Sequence, residues 1–262
     1  MRLTEIAASG IRAQQVALDT LGNNMANANT TGFKASQVDF AEALSSVVPF
    51  GGTSTGGNTG VATHDVGSGV LYNAIGTDFK QGTLTPTGRP LDLGIDGVGF
   101  FQVRTQGGNM AYTRVGNFQT DSSGQLTDTQ GNLVQPGISI PIDATNIIVG
   151  SNGGILGTVA GSERTFGQIV LVGFQNPEGL LKNGDNLFTP TVNSGAPQIG
   201  QPGTTMGNLV LGTIRGQSLE QSNVDMGASI TDMMQVQRAY QVNARMAQDG
   251  DQMWGIANSL RR

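Results

Sequence analysis

The chain contains no cysteine among its 262 residues. Disulfides and thiolate metal sites are excluded, and stability has to come from packing or assembly. Aromatic residues make up 5% and charged residues 13% of the sequence. Basic residues number 14 against 19 acidic, a net charge of −5 with no basic patch, which argues against nucleic acid as a partner. None of the three lysines, Lys34, Lys80 and Lys182, stands in a phosphate-loop pattern. The single histidine, His64, lies in a Gly/Thr-rich stretch and reads as a solvated loop residue, not a catalytic base. No apolar run approaches the roughly 20 residues that span a bilayer. The first ten residues, Met1 to Gly10, lack a continuous apolar stretch of the secretory type. The expectation is either a cytoplasmic protein or export by a route without a cleaved signal.

Glycine is abundant, at 40 residues, and apolar residues still make up 37%. Such a chain reads as ordered, β-rich and full of turns. Between residues 70 and 215 short apolar runs alternate with turn signals. Examples of the runs are 99–104, 146–149 and 168–174, and of the turns 106–109, 121–124 and 182–185. No helical pattern alternates with them, so the expected sheet is antiparallel.

Both ends of the chain read as helices. Ala7, Ile11, Gln14, Leu18, Leu21, Met25 and Ala28 follow steps of four and three, the spacing of a coiled-coil seam. Asn27 to Gly32 reads as the stop. A second periodic segment starts near residue 222, with Ser222 or Asn223 as cap. Met226, Met233, Tyr240, Ala247 and Trp254 recur there at heptad spacing, and Val242, Met246, Met253, Ile256 and Leu260 lie on another face. The fold class expected is α+β: N- and C-terminal helices pairing as a coiled coil, with a central, mainly antiparallel β body. The divisions are 1–44 (helix and loop), 45–69 (Gly/Thr/Ser-rich linker or stiffening loop), 70–215 (β body) and 216–262 (second helix). Two apolar faces on one helix ask for more than one neighbour. An ordinary α+β monomer with two helices on its sheet stays open beside assembly. Gly227, Gly250 and Gly255 each weaken the last helix by roughly 1 kcal/mol relative to alanine, which favours a helix that is stable only when packed.

Catalytic signals are thin. Gly94 to Phe101 is glycine-rich but does not match a dinucleotide fingerprint, and reads as a tight turn feeding a strand. Asp92 and Asp96 are the one candidate carboxylate pair of a hydrolase, and Leu93-Gly94-Ile95 between them looks like strand and turn. No metal set and no cofactor are expected.

Five segments carry a resemblance to a known family. Leu18 to Lys34, with Asn23, Asn24, Asn27, Thr30, Gly32, Phe33 and Lys34 in place, resembles the N-terminal signature of bacterial flagellar rod and hook proteins. Gln81 to Phe101, including Asp92, Gly97 and Gly99, is similar to a second block of that family, with Gly94 where alanine is usual. Tyr112 to Phe118, with Asp121, Gly124 and Leu126, is similar to a third. Leu219 to Asp225, with Ser222 and Asn223, and Gln237 to Asn243, with Gln237, Arg238, Ala239 and Tyr240, resemble the C-terminal signature. Chain length and Asp251-Gln252-Met253 are most similar to the distal rod type of subunit, with the proximal rod type next. Gly250 and Gly255 depart from the usual form.

The resemblance implies a non-enzymatic subunit that polymerises into a hollow tubular drive shaft and transmits torque. The implied partners are further copies of the chain, the proximal rod and hook, the outer-membrane and peptidoglycan rings around the rod, and the flagellar type III export apparatus. The implied place is the basal body, crossing the periplasm. On that reading Ile11, Leu18, Leu21, Met25, Met233, Tyr240 and Trp254 are the candidates for helix packing between subunits. Arg12, Arg238 and Arg245 are the candidates for polar links. Before assembly the end helices are expected to be largely disordered.

Overall fold

The computed structural model describes residues 2–43, 46–49, 63–66, 69–207 and 209–260. It divides into two compact units. Unit 1 is formed by Met1–Ala26, Ser36–Gly76 and Asp225–Arg262, and unit 2 by Asn27–Ala35 and Thr77–Val224. The class is α+β, with helices at both ends and an antiparallel β body.

In unit 1, α1 spans Arg2–Ala26 and α2 spans Met226–Ser259. The α2 cap is Asp225, whose Oδ1 accepts from the amides of Gly227 at 2.8 Å and Ala228 at 3.1 Å. The sequence reading placed Ser222 or Asn223 there, with Asp225 in the first turn. Asn223 is unavailable as a cap because its side chain is committed within unit 2, described below.

Glycines stand where the two helices approach each other. Ala7, Ala13, Ala17 and Asn24 are the buried positions of α1, and Ser229 and Gly250 are buried on α2. A Cβ at Gly10 would stand 2.7 Å from Asn243 Nδ2, and one at Gly250 2.9 Å from Thr4 Cγ2. Residue 10 therefore meets 243 and residue 4 meets 250, so the helices run antiparallel. This seam differs from the heptad positions expected on α2. Tyr240 and Trp254, placed in the seam by their spacing, are 38% and 53% exposed. Glycine and alanine let the backbones approach closely, and large side chains are turned aside.

Gly250, read as a weakness of the helix, is thus a contact point. Helix propensity alone predicts that replacing it gains up to about 1 kcal/mol. The approach to Thr4 opposes this, since overpacking costs about 1–3 kcal/mol, and for a side chain as large as leucine the loss wins. Gly250→Leu should therefore loosen the helix pair, seen as faster tryptic cleavage at Arg12, Arg238 and Arg245 with no change in the exchange of unit 2 amides. Unchanged cleavage would remove the close-approach argument.

Ser36–Glu42 pairs with Val70–Thr77. Asn24 joins α1 to that strand: its Nδ2 donates to the Ser36 carbonyl at 2.7 Å, and the Ser36 amide donates to its Oδ1 at 2.9 Å. Ser46–Pro49 and Thr63–Val66, assigned by composition to the linker, are paired antiparallel strands with His64 opposite Val48. His64 thus has strand backbone, not the loop expected. The Gly/Thr-rich centre of that stretch, 50–62, lies outside the described residues.

Unit 2 is built around the strand Phe100–Arg104. Met110–Thr113 pairs along one edge. On the other edge Leu171–Gly173 pairs at Phe100 and Phe101, and Leu133–Val134 at Val103 and Arg104. Phe101 and Val103 face a core with Leu93, Ile95, Phe118 and Leu126. Phe100 faces the other side, with Tyr112, Val172, Phe174 and Phe188. Burial on both faces explains the near-continuous apolar run at 99–103. The rings meet edge-on: Tyr112 and Phe174 lie 4.9 Å apart at 85°, and Phe101 and Phe118 5.1 Å apart at 85°. Burying one such side chain contributes roughly 1.5–3 kcal/mol. Both buried apolar clusters of the described residues lie in unit 2.

The expected turns are present. Asp121 Oδ1 accepts the amides of Ser123 and Gln125, each at 2.8 Å, and the Gly124 amide closes the turn. The apolar run 168–174 is not one strand. Gln168 ends the three-stranded sheet formed by Thr145–Val149, Gly154–Val159 and Ser162–Gln168, and Leu171 begins pairing in the larger sheet. The Ile169 amide bonds Gly153 O at 2.8 Å and redirects the chain between them.

Candidate functional site

The segment after α1 is built into unit 2 and is not merely a capping loop. Asn27 O accepts the Thr30 amide at 3.0 Å, and Thr30 Oγ1 reaches Asn27 Oδ1 at 3.2 Å. Gly32 has φ +66, and its amide donates to Glu220 O at 2.7 Å. Phe33 is buried with the Lys182 ammonium 4.3 Å from its ring centroid. Asn223 Oδ1 accepts the Ala35 amide at 2.8 Å, while its Nδ2 donates to Asp78 O at 2.8 Å and Lys80 O at 3.2 Å.

At the centre is a buried ion cluster. The side chains of Lys34 and Glu220 are 0% exposed. Lys34 Nζ donates to Glu220 Oε1 at 2.6 Å and to Lys80 O at 2.7 Å. The Gly82 amide donates to the same Oε1 at 2.9 Å. Arg114 Nη1 donates to Glu220 Oε2 at 3.4 Å, and the guanidinium lies 5.2 Å from the Phe100 ring centroid. One carboxylate thus holds two buried cations drawn from positions 34 and 114 of the chain. Arg114 Nε has no partner among the described residues. Glu220 escaped the sequence reading as a site residue because nothing local marks a glutamate as buried. The usable signal was its place in the Leu219–Asp225 family block, since Lys34 and Arg114 stand in two other blocks of the same family.

Burial lowers the Lys34 pKa below 10.5, with Arg114 adding to the effect and Glu220 opposing it. Lys182 is lowered by burial as well. Tyr112 is raised above 10.0 by burial. For both lysines the unfolded chain holds protons more tightly than the folded one, so between the lowered value and 10.5 stability rises with pH. Tyr112 acts in reverse, and its contribution falls away as pH rises beyond 10. Urea midpoints should therefore increase with pH over the range just below 10, and Lys34→Met should flatten the increase. A midpoint that falls over this interval would contradict the assignment.

Unit 1 has the opposite character. α2 exposes Met226, Ile230, Met234, Val242, Met253, Trp254, Ile256 and Leu260. Phe40, Leu71, Tyr72 and Ile75 are exposed on the paired strands. Large exposed apolar side chains in such number are typical of surfaces that meet a partner. Of the candidates for subunit packing, Ile11, Leu18, Leu21, Met25 and Met233 are half-buried within the single chain. Tyr240, Trp254, Arg12, Arg238 and Arg245 are exposed.

The signature residues divide by role. Asn24, Gly32, Phe33, Lys34 and Asp92 are buried, Asn27, Thr30, Ser222, Asn223 and Ala239 half-buried, and Asn23 and Gln237 exposed. Gly97 and Gly99 take φ +115 and +141, and a Cβ on Gly97 would stand 2.8 Å from the Gly212 Cα. Asp92 and Asp96 do not act as a pair. Asp92 is buried and accepts from Thr87 Oγ1 at 2.7 Å, whereas Asp96 is at the surface with Arg215 at 3.1 Å. Among the described residues no cluster of three or more His, Asp or Glu could hold a metal, and no helix is long and apolar enough to cross a membrane.

Comparison with known proteins matches the same regions. Residues 5–34 match the family model for flagella basal body rod proteins. Residues 94–157 match the D1 domain of the flagellar hook proteins FlgE/F/G, and 215–260 the C-terminal part of the basal body rod FlgEFG proteins. Lys34, Arg114 and Glu220 fall one in each matched segment. The flagellar basal-body rod protein FlgG of Caulobacter vibrioides is 38% identical over 265 residues, covering 100% of both chains. FlgG of Bacillus subtilis is 37% identical over 264 residues, covering 97% of each. The flagellar hook-basal body complex protein FlhP of the same organism is 30% identical over 277 residues, again covering 97% of each.

Proposed function

The chain belongs to the flagellar basal-body rod protein family and is a structural subunit of the flagellar rod; from this premise we propose that it polymerises through unit 1 into a hollow distal-rod tube that carries torque from motor to hook. The observation that carries the reading is the contrast between the two units. Both buried apolar clusters lie in unit 2, whereas unit 1 joins both chain ends and carries 15 of the 24 large apolar side chains exposed among the described residues.

In the tube the paired helices line the inner wall as a coiled coil. A packed interface resists shear because interiors are as dense as organic crystals and repack in steps rather than flowing. The neighbours on this reading are further copies of the chain, the proximal rod and hook at the two ends, and the surrounding ring proteins. Passage across the periplasm follows export by the flagellar type III apparatus. The role is mechanical and calls for no catalytic group.

The test is sedimentation of the purified chain across a concentration series. The intact protein should pellet above a threshold concentration. The chain lacking 226–260 should remain soluble at every concentration, with unit 2 still folded by circular dichroism. Pelleting of both chains at one threshold would overturn the assignment of polymerisation to unit 1.

A further inference from the structure

Unit 1 has two unlike surfaces that its own helix seam leaves uncovered. The first is a ridge on α2. Met226, Ile230, Met234, Arg238 and Val242 recur every four residues, and all are exposed. Such an i, i+4 row is the geometry by which one helix enters the groove of another. The second is a groove of about 340 Å³ lined by Val16, Asp19, Thr20 and Asn23 of α1, together with Ser36 and Ile75. Its lining includes no residue of α2, so α2 of the same chain does not fill it.

We propose that the α2 ridge of one copy seats in the α1 groove of the next, with Arg238 against Asp19. This rests on the polymer reading and specifies its contact. The ridge is apolar apart from Arg238, and Asp19 is the one charged residue lining the groove, so the two surfaces complement each other in shape and in charge. A ridge packed on a second ridge would leave Arg238 without the acid that the groove supplies. A contact between two different patches is heterologous: each copy offers its ridge forward and its groove backward. Repetition of such a contact gives a ring if the rotation closes and a helical array if it does not, which is the symmetry a tube requires. Unlike a two-fold contact, it does not stop at a dimer.

Two experiments on the full chain test this. In the first, Asp19→Arg and Arg238→Asp are made singly and together, and the threshold for tube formation is measured. Each single change should raise the threshold about ten-fold or more, and the double change should bring it back to within about three-fold of the unaltered chain. Singles that assemble normally, or a double no better than either single, overturn the contact while leaving the polymer reading intact. If the unaltered chain forms no tubes at any concentration, the polymer reading fails, and this contact with it. In the second, the absence of native cysteine allows Thr20→Cys in one preparation and Met234→Cys in another. Oxidation of the mixed assembly should yield a cross-linked pair containing one of each, and failure to cross-link where tubes are present overturns the seating.

Discussion

Glu220→Gln should destabilise unit 2 by about 3–5 kcal/mol, the cost of breaking a buried ion pair from one side. The substitution keeps shape and one acceptor oxygen. What it removes is the negative charge shared by Lys34 and Arg114, which are held at 2.6 and 3.4 Å with almost no exposure. Two buried cations then face each other with no anion. Against a total stability of roughly 5–15 kcal/mol for a domain, this is a large fraction. The converse also follows. Replacing all three groups with apolar ones (Lys34→Met, Arg114→Met and Glu220→Leu together) should recover most of the loss, because desolvation of the ions offsets much of their attraction. Urea unfolding followed by circular dichroism measures both. A Glu220→Gln midpoint equal to that of the unaltered chain would show that the cluster contributes little.

Gly116→Ala should cost about 3–5 kcal/mol as well, for reasons of space alone. A Cβ on Gly116 would overlap the carbonyl oxygen of Leu93. Neither backbone can yield. The Leu93 amide donates to Gly116 O at 2.9 Å, and the 93–96 strand is locked in register with Thr213–Gly216. Asp92 and Asn117 are bridged beside it. A control separates space from conformational freedom. Gly137 has φ +76 and nothing within 4 Å of an added Cβ, so Gly137→Ala should cost only about 1–2 kcal/mol, the left-handed penalty for an L residue. Thermal melts of the two variants should differ clearly, and equal shifts would mean that the overlap relaxes cheaply.

Much of the fold was legible because its signals are local. The two end helices follow from apolar periodicity, and the turns at 106–109, 121–124 and 182–185 from glycine and Asx chemistry. The helix seam was misplaced because large apolar side chains were assumed to pack inward. Here Gly10 and Gly250 stand at the contact, and Tyr240 and Trp254 are exposed. The break at Ile169 was invisible because a chain that leaves one sheet for another remains apolar throughout. The ion cluster was illegible for a different reason. Lys34, Arg114 and Glu220 are far apart in sequence, and each alone reads as a surface charge. Only the docking of 27–35 and 217–223 onto the β body removes them from water. Asn223 shows the same limit: as a cap candidate it obeyed local rules, yet its side chain bonds Ala35, Asp78 and Lys80.

The most direct test of the central reading is electron microscopy of the purified chain over a concentration series, with limited trypsin digestion of each sample. Tubes should appear above a threshold concentration, and cleavage at Arg12, Arg238 and Arg245 should be rapid below that threshold and suppressed above it, with unit 2 resistant throughout. A protein that stays monomeric at every concentration, with both end helices resistant to trypsin from the start, would contradict the reading of unit 1 as the polymerising part.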